Sequence, residues 1–293
     1  MKTIGVIGLG IMGQGMAGRL LTAGYSVVVW NRSEDKARGL IGRGAKWGGS
    51  PADVARETDV IFTMLSADRA VLDVLLGEEG VIAGARPGQI VVDSSTVSPD
   101  TSRKLHEAFA ARGVEFLDAP VTGSAPHAQN GELGFMVGGK KEVFEACVEY
   151  FQVMGKNWVH LGPGGMGSTA KLASNTMVAI ALLALAEGLT IVEASGLDAG
   201  DFLRVIAKGG ANSRVVETKS PKILSGDWST EFSVRLMNKD LKLALELAQG
   251  LGTATPALAL ARQVLQMAEG SGFGELDVAS VYRLYRQWAC SRD

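Results

Sequence analysis

Cysteine is scarce in this chain, and the two that occur, Cys147 and Cys290, lie far apart among its 293 residues. Their separation matches neither a disulfide framework nor a metal site, and such sparse cysteine is typical of proteins from a reducing compartment. The first strand-like segment begins almost at residue 1, so the sequence predicts no signal peptide. We therefore expect a cytoplasmic protein that holds no metal.

An excess of charge of one sign is also missing, because 29 Lys and Arg balance 31 Asp and Glu to a formal net charge of −2. No basic block or acidic tail occurs, so nucleic acid has no electrostatic reason to bind. The longest helical apolar run, Met177 to Ala186, is only half of the roughly 20 residues that span a bilayer. The sequence thus predicts neither a nucleic-acid partner nor a membrane segment.

Glycine, by contrast, is plentiful at 38 residues, and three glycines near the N-terminus have the spacing G-x-G-x-x-G. They are Gly8, Gly10 and Gly13. An apolar run from Ile4 to Ile7 precedes them, a helix-like segment at 12–23 follows, and a second apolar run ends at Trp30. A strand, a tight turn, a helix and a strand within about thirty residues is the unit that binds dinucleotides.

Each glycine of this turn meets a physical need. Gly8 permits the sharp exit from the strand, Gly10 lets a pyrophosphate approach the backbone, and Gly13 lets the helix pack close to the strand. The phosphates would then lie on free N–H groups at a helix N-terminus, where the helix dipole favours negative charge. The alternative interpretation is a glycine-rich turn without a ligand, and the surrounding unit argues against it.

The residues after the second strand bear on the choice of cofactor. NAD-binding units usually carry Asp or Glu there to bind the ribose 2′-hydroxyl, whereas this chain has Asn31, Arg32 and Ser33. A carboxylate would repel a 2′-phosphate, while these residues offer donors and a positive charge. We predict that NADP(H) is preferred and that NAD(H) is possible. The alternative is that Arg32 is only a solvated loop residue.

Further along the chain, short apolar runs alternate with capped helical segments. After the first two, strands are predicted at 60–65, 89–93, 114–117, 134–139 and 158–161. This alternation predicts a doubly wound parallel sheet, in which the carboxyl ends of the strands share one edge.

The strand signals stop near residue 162, so we predict two domains, 1–162 and 163–293. The second domain is predicted to be all-α and to begin with a long helix, Ser168 to Ala194. That helix is apolar on nearly every face, which predicts that it is buried in protein. Further helices are predicted at 199–208, 235–249, 257–269 and 278–288.

Lys171 and Asn175 lie one turn apart near the start of the long helix and therefore share a face. Lysine is rarely buried without a partner or a function. Desolvation would lower the pKa of a lysine and make it a proton donor near neutral pH, with the amide orienting a small oxygenated ligand. The alternative is a lysine that extends to solvent beside a structural Asn.

Four segments in this order resemble the β-hydroxyacid dehydrogenase family, which includes 3-hydroxyisobutyrate dehydrogenase, tartronate semialdehyde reductase and glyoxylate/succinic semialdehyde reductase. The segments are G-L-G-I-M-G from Gly8, D-A-P-V-T-G from Asp118, G-P-G-G-M-G-S-T-A-K-L-A-S-N from Gly162, and K-D-L from Lys239. The resemblance covers most of the chain. It implies an α/β Rossmann-type N-terminal domain with a doubly wound, mostly parallel sheet, and an all-α C-terminal domain for substrate binding and oligomerisation.

The resemblance also implies a role for each matching residue. Lys171 would exchange a proton with the carbonyl oxygen, and Asn175 would hydrogen-bond that oxygen or an adjacent one. Substrate contacts are implied for Thr122, Gly123, Ser124, Phe232 and Asp240. Cofactor contacts are implied for Gly8, Leu9, Gly10, Ile11, Met12, Gly13, Met64, Leu65, Thr96 and Lys239. The implied activity is NADPH-dependent interconversion of a short aldehyde or keto acid and its hydroxy acid, in a homodimer or homotetramer.

Three departures from the family pattern leave the subfamily open. Thr122 stands where Ser is more frequent, which keeps the hydroxyl and narrows the pocket by a methyl group. Ser124 replaces the glycine of the hydroxyisobutyrate type and is closer to the glyoxylate/succinic semialdehyde reductases. Those reductases often continue with two lysines, whereas this chain continues with Ala125, Pro126 and His127. His127 is either a contact for a second substrate carboxylate or an exposed loop residue.

Two other functions remain as alternatives. Imine reductases share the implied architecture but usually carry a different residue at the position of Lys171. A dinucleotide-binding interaction module without catalysis, of the kind found among nuclear relatives of the family, tends to lack this lysine and to gain basic or reader segments. The presence of Lys171 and the absence of such segments favour the dehydrogenase.

Overall fold

The computed structural model describes residues 2–289, so Cys290 lies outside the described residues. The chain divides into two compact units, one that ends at Lys171 and one that starts at Leu172. The domain boundary predicted after residue 162 falls within the first unit and stays a prediction.

A single nine-stranded sheet forms the first unit. Its strands are β1 (Thr3–Ile7), β2 (Ser26–Trp30), β3 (Lys46–Trp47), β4 (Val60–Thr63), β5 (Ile90–Asp93), β6 (Glu115–Asp118), β7 (Val121–Thr122), β8 (Leu133–Gly138) and β9 (Gly155–Gly162). The order is β3-β2-β1-β4-β5-β6-β8-β7, with β9 paired to β8. The pairs from β3 through β6 are parallel, and β8 is antiparallel to β6 and β7. The predicted doubly wound, mostly parallel sheet is confirmed.

Helices connect these strands and then form the second unit. Those of the first unit are α1 (Ile11–Thr22), α2 (Arg38–Ile41), α3 (Pro51–Glu57), α4 (Asp68–Leu76), α5 (Val81–Gly84), α6 (Pro99–Ala110), α7 (Ala125–Asn130) and α8 (Lys141–Met154). The long helix α9 (Met166–Ala194) begins in the first unit and continues into the second. The remainder are α10 (Ala199–Ile206), α11 (Arg214–Ser225), α12 (Val234–Gly250), α13 (Pro256–Ala268) and α14 (Tyr282–Ala289). The all-α character predicted for the C-terminal part is confirmed.

Neighbouring residues of the central strands face two different cores. On β1, Val6 belongs to one buried cluster and Ile7 to another, and on β4 Phe62 and Ile61 divide in the same way. Successive side chains of a strand point to opposite faces, so helices on both faces explain the unbroken apolar runs of the sequence. Each such side chain contributes about 1.5–3 kcal/mol when fully buried.

The helix α9 matches the predicted Ser168 to Ala194 within two residues, but it is less covered than predicted. Within residues 2–289 it is the helix that could cross a membrane by length and composition, with a mean hydropathy of 2.0 over 18 residues. The predicted apolar run, Met177 to Ala186, is shorter than this 18-residue window because the window also contains polar residues beyond the run. Only 39% of the apolar window is buried, and core helices of soluble proteins pass the same test, so this is weak evidence for a span.

The predicted burial of α9 on nearly every face is wrong for the single chain. Met177 and Ile191 on this helix are 73% and 70% exposed. The reason is geometric, because a helix that is apolar all round needs neighbours on every side and this chain supplies them on only some.

Candidate functional site

The turn between β1 and α1 has the geometry expected of a dinucleotide-binding turn. Gly8 has φ +93°, and a Cβ there would lie 2.3 Å from the Met64 carbonyl oxygen. A Cβ on Gly13 would lie 1.9 Å from the Gly8 carbonyl oxygen. A Cβ on Gly10 would meet nothing within 4 Å. The fold therefore requires glycine at 8 and 13, whereas the space beside Gly10 is open to a ligand.

The N-terminus of α1 is suited to an anion. Gly10 caps the helix without a side-chain hydrogen bond, and the first turn contains no acidic residue. Its N–H groups, and the positive end of the helix dipole, are therefore left for negative charge. Ile11 is exposed and Met12 half-buried, so both lie at the accessible end of this helix.

Leu9 has a structural role in the same turn. Its side chain is fully buried, and its N–H donates to Oδ1 of Asn31 at 3.0 Å. Asn31 in turn donates through Nδ2 to the carbonyl oxygen of Ser33 at 3.0 Å. Asn31 thus ties the glycine turn to the end of β2. Arg32 and Ser33 are exposed beside it, and Arg32 has no acidic partner among the residues that the structure describes.

Two further predicted cofactor segments follow the neighbouring strands β4 and β5. Met64 donates its N–H to the Ile7 carbonyl oxygen, which places Met64 and Leu65 beside the glycine turn. The register pairs Ile7 with Thr63 and Thr63 with Asp93, so Thr96 follows the next strand end along. The first unit therefore brings these predicted cofactor residues to one edge of the sheet.

A buried carboxylate that sequence reasoning missed organises this edge. Asp93 Oδ1 accepts hydrogen bonds from the hydroxyls of Thr63 and Ser95, each at 2.6 Å. Ser95 Oγ then accepts the N–H of Leu65 at 2.8 Å. Burial raises the pKa of Asp93, and the hydrogen bonds from Ser95 and Thr63 oppose that shift. The signal in the sequence was three hydroxyl residues after a strand that ends in Asp.

The predicted substrate loop leaves β6 and turns into α7. Thr122 is exposed on β7, and the exposed Gly123 has φ +125°, a conformation that favours glycine. Ser124 begins α7, and Nδ1 of His127 accepts the Ser124 N–H at 3.2 Å. His127 is half-buried rather than exposed, and one of its ring nitrogens holds the loop.

On α9, Lys171 is half-buried near the helix start, and Asn175 one turn further on is 5% exposed. In the second unit, Nδ2 of Asn175 donates to Oδ2 of Asp240 at 2.6 Å. Asp240 is itself 2% exposed, and its Oδ1 forms an ion pair with Nζ of Lys239 at 2.8 Å. A buried carboxylate needs such partners, and here they fix the orientation of the Asn175 amide.

The segment that contains Phe232 is held by a second buried carboxylate that the sequence did not reveal. Asp277 is fully buried and accepts the N–H groups of Glu231 at 3.1 Å and Phe232 at 3.2 Å. Lys219 pairs with the same carboxylate at 2.9 Å. Phe232 itself is half-buried. Its predicted contact with substrate therefore depends on a backbone that Asp277 fixes.

A third missed carboxylate is Asp118, at the end of β6, which is 1% exposed. Its Oδ1 accepts the Gly165 N–H at 2.8 Å, and its Oδ2 accepts the Ser168 N–H at 3.0 Å. Nε2 of His106 donates to Oδ1 at 3.0 Å. Asp118 therefore joins the start of the predicted substrate loop to the start of α9.

Two family models match the chain in succession. Residues 3–162 match the NAD binding domain of 6-phosphogluconate dehydrogenase. Residues 165–285 match the family described as NAD-binding of NADP-dependent 3-hydroxyisobutyrate dehydrogenase.

Curated relatives cover nearly the whole chain. The chain is 36% identical to the uncharacterized oxidoreductase YkwC of Bacillus subtilis over 97% of its length and 99% of that protein. It is 34% identical to glyoxylate/succinic semialdehyde reductase 2, chloroplastic, of Arabidopsis thaliana, over 95% of the chain and 78% of that protein. It is 35% identical to the human cytokine-like nuclear factor N-PAC over 97% of its length, but it spans only 51% of that protein.

Solved structures show the same fold. The 3-hydroxyisobutyrate dehydrogenase of Mycobacterium tuberculosis, with L-serine, matches at a TM-score of 0.89 and 31% identity, covering 98% of this chain and 99% of that one. A structure described as Psf3 in complex with NADP+ and 2-OPP matches at a TM-score of 0.90 and 30% identity, covering 96% and 99%. An imine reductase from a Pseudomonas species matches at a TM-score of 0.64 and 23% identity, covering 96% and 98%, which shows a shared fold alone.

Proposed function

Because this chain belongs to the NAD(P)-dependent hydroxyacid dehydrogenase family that includes 3-hydroxyisobutyrate dehydrogenase, we propose that it is an NADPH-dependent reductase. Its substrate would be a short aldehyde or keto acid of the glyoxylate, succinic semialdehyde or 3-hydroxyisobutyrate type. The observation that carries the proposal is Lys171 one turn before the buried, oriented Asn175.

The residues of the first unit fit a dinucleotide. The open space at Gly10 and the uncapped N-terminus of α1 would hold the pyrophosphate. Asn31, Arg32 and Ser33 would hold a ribose 2′-phosphate, and Met64, Leu65 and Thr96 would line the nicotinamide half, with Lys239 as a further cofactor contact. When bound, the nicotinamide supplies the hydride.

The chain's own side chains would bind the substrate and move the proton. The hydroxyl of Thr122 and the N–H of Gly123 would hold the substrate carboxylate, with Ser124 shaping the loop. The ammonium group of Lys171 would donate its proton to the carbonyl oxygen during reduction and accept it back during oxidation. One N–H of the Asn175 amide is bonded to Asp240, which leaves the other to donate to the same oxygen.

The experiment measures the loss of NADPH absorbance with a panel of glyoxylate, succinic semialdehyde and methylmalonate-type semialdehyde. We expect turnover of at least one compound and a fall in kcat of about 10²- to 10⁴-fold in Lys171→Ala. Lys141→Ala, which changes an exposed lysine of α8, is the matched control and should leave kcat unchanged. Near wild-type kcat in Lys171→Ala would end the assignment of the proton donor.

The same assay separates the alternatives. Turnover of cyclic imines without turnover of aldehyde acids would favour an imine reductase, a class whose fold this chain shares. Tight NADPH binding without turnover of any compound would favour a non-catalytic dinucleotide-binding module.

The preference for NADP(H) is supported by the exposed Arg32 and by the lack of a carboxylate at the end of β2. Steady-state kinetics with both cofactors tests it. We expect Arg32→Asp to lower kcat/KM for NADPH at least tenfold, because a carboxylate repels the 2′-phosphate. Arg38→Asp, at an exposed arginine nearby, is the control. A wild-type preference for NADH would contradict the proposal.

A further inference from the structure

The residue directly before the helix that carries Lys171 is Gly165, which has no side chain to cap that helix. Its first turn contains no acidic residue, and the first N–H groups of any helix lack intrahelical partners. Asp118 supplies the missing acceptors from a strand that lies 47 residues earlier than Gly165 in the sequence. Its two oxygens divide between the N–H groups of Gly165 and Ser168, so one carboxylate caps the helix in two places.

The contact between strand and helix is close because side chains are missing where the two meet. A Cβ on Gly167 would lie 2.3 Å from the Met136 carbonyl oxygen and 2.5 Å from that of Asp118. A Cβ on Gly138 would lie 2.6 Å from Oδ1 of Asp118. No flexible side chain separates the carboxylate from the helix start, so a shift of Asp118 must move α9.

His106 supplies the third donor to this carboxylate. Its ring packs edge-on against Phe116 at 4.9 Å and donates through Nε2 to Asp118. A Cβ on Gly164 would lie 2.4 Å from the His106 ring, so the loop before α9 rests on the imidazole. The ring therefore limits movement of Asp118, because it bonds the same oxygen that accepts the Gly165 N–H.

We infer that Asp118, steadied by His106, is a positioning residue that fixes Lys171 relative to the substrate loop. Ser168 is three residues before Lys171, hence less than one helical turn away, and Asp118 is four residues before Thr122. One carboxylate thus sets the start of both the segment that would bind the substrate and the helix that would protonate it. This inference rests on the proposed role of Lys171.

The test is a double-mutant cycle read by single-turnover oxidation of NADPH under enzyme excess. Asp118→Asn keeps the size of the side chain but gives one of the backbone donors an NH2 group instead of an oxygen. We expect this change to slow hydride transfer about 10- to 100-fold, the scale of a displacement of about 1 Å. In the Lys171→Ala background the same change should alter the rate less than about twofold, because the two act as a unit.

Asp59→Asn is the matched control. Asp59 also accepts a backbone N–H, that of Thr3 at 2.9 Å, but at the opposite end of the strands. It should leave the rate unchanged in both backgrounds. The affinity for NADPH, measured by fluorescence titration, should stay constant in all variants, since the carboxylate does not act through the cofactor turn.

A second pair of variants, both at His106, tests the positioning role of Asp118 if Asp118→Asn does not fold. His106→Leu removes the donor, whereas His106→Gln keeps an N–H in reach of the carboxylate. We expect single-turnover oxidation of NADPH to be several-fold slower in His106→Leu and close to the wild-type rate in His106→Gln.

The outcomes distinguish this inference from the proposed function. If Lys171→Ala keeps its activity, the proposed function fails at its proton donor. If Lys171→Ala is inactive while Asp118→Asn and His106→Leu match the wild type, only the positioning role is refuted. Equal losses from Asp118→Asn with and without Lys171 would also refute it, because they would show a general structural effect.

Discussion

At the scale of single residues, the three glycines of the cofactor turn separate the demands of folding from those of binding. Gly8 and Gly13 lie against backbone atoms, whereas Gly10 faces open space. A methyl group at position 10 would therefore obstruct only a ligand.

We predict that Gly10→Ala unfolds at a temperature close to that of the wild type but binds NADPH at least tenfold more weakly. Gly13→Ala is the contrasting variant, because its Cβ would lie 1.9 Å from the Gly8 carbonyl oxygen and must displace the helix. Thermal unfolding by circular dichroism and fluorescence titration with NADPH measure the two effects. A destabilised Gly10→Ala that still binds NADPH would contradict the assignment.

A second residue-scale prediction concerns alkaline pH. Burial raises the pKa of the Cys147 thiol from 9.0 to about 12. The unfolded chain loses this proton first, so the stabilising contribution is complete below pH 9 and is lost as the pH rises from 9 towards 12. The free energy of unfolding should fall by up to about 1.4 kcal/mol per pH unit in that window.

Urea unfolding of the wild type and of Cys147→Ala at pH 8 and pH 10 measures the contribution of the thiol to the free energy of unfolding. Burial also raises the pKa of Tyr282 to about 12, so part of the alkaline loss persists in the variant. The variant should nevertheless show the shallower dependence on pH. Identical slopes would mean that the thiol does not contribute.

At the scale of elements, the buried ion pair between Asp277 and Lys219 holds the backbone of one segment of the second unit in place. Asp277 caps the 3-10 helix Val278–Val281, accepts the Phe232 N–H, and is paired with Lys219. Removal of the carboxylate leaves the largely buried ammonium group of Lys219 without this partner and three backbone donors, those of Glu231, Phe232 and Ala279, without an acceptor.

Asp277→Ala should therefore lower the free energy of unfolding by about 3–5 kcal/mol. Asp198→Ala is the matched control, because Asp198 caps α10 in the same unit through an exposed hydrogen bond to the Asp201 N–H. The control should cost about 1 kcal/mol. Urea denaturation of both variants measures the difference, and equal losses would show that the ion pair adds nothing to the cap.

The elements that could be predicted from sequence are those that local pattern determines. The runs at Ile4 to Ile7 and 60–65 form β1 and β4. A strand that is apolar on both faces is stable only inside a sheet that is covered on both sides. Other elements gave no such signal. β7 has only two residues, and α11 contains Pro221, which normally ends a helix but here lies inside Arg214–Ser225.

At the scale of the whole molecule, the separate parts of the candidate site could be predicted but their connections could not. Lys171, Asn175 and Asp240 were each found from motifs. The hydrogen bond between Asn175 and Asp240 joins residues 65 positions apart, and that from Gly165 to Asp118 joins residues 47 apart. Such pairs depend on the packing of distant elements, which periodicity along the chain does not contain.

The expected homo-oligomer is supported by the exposed apolar side chains of α9. Met177 and Ile191 would be covered by a second copy of the chain, because a helix that is apolar on every face is stable only when buried. We predict a dimer or larger assembly by light scattering after size exclusion. Met177→Lys combined with Ile191→Lys should reduce the assembly, whereas Ile41→Lys in the first unit should not. A wild-type monomer at micromolar concentration would contradict this prediction.

The two-sided strands also limit how the length of this protein can change. Val6 and Ile7 enter opposite cores, so deleting one residue from β1 would exchange the partners of every residue after the deletion. The same applies to an insertion in β4. Tolerated gains and losses of residues should therefore be confined to surface connections, and a library of single-codon deletions scored for soluble expression should show intolerance across the central strands.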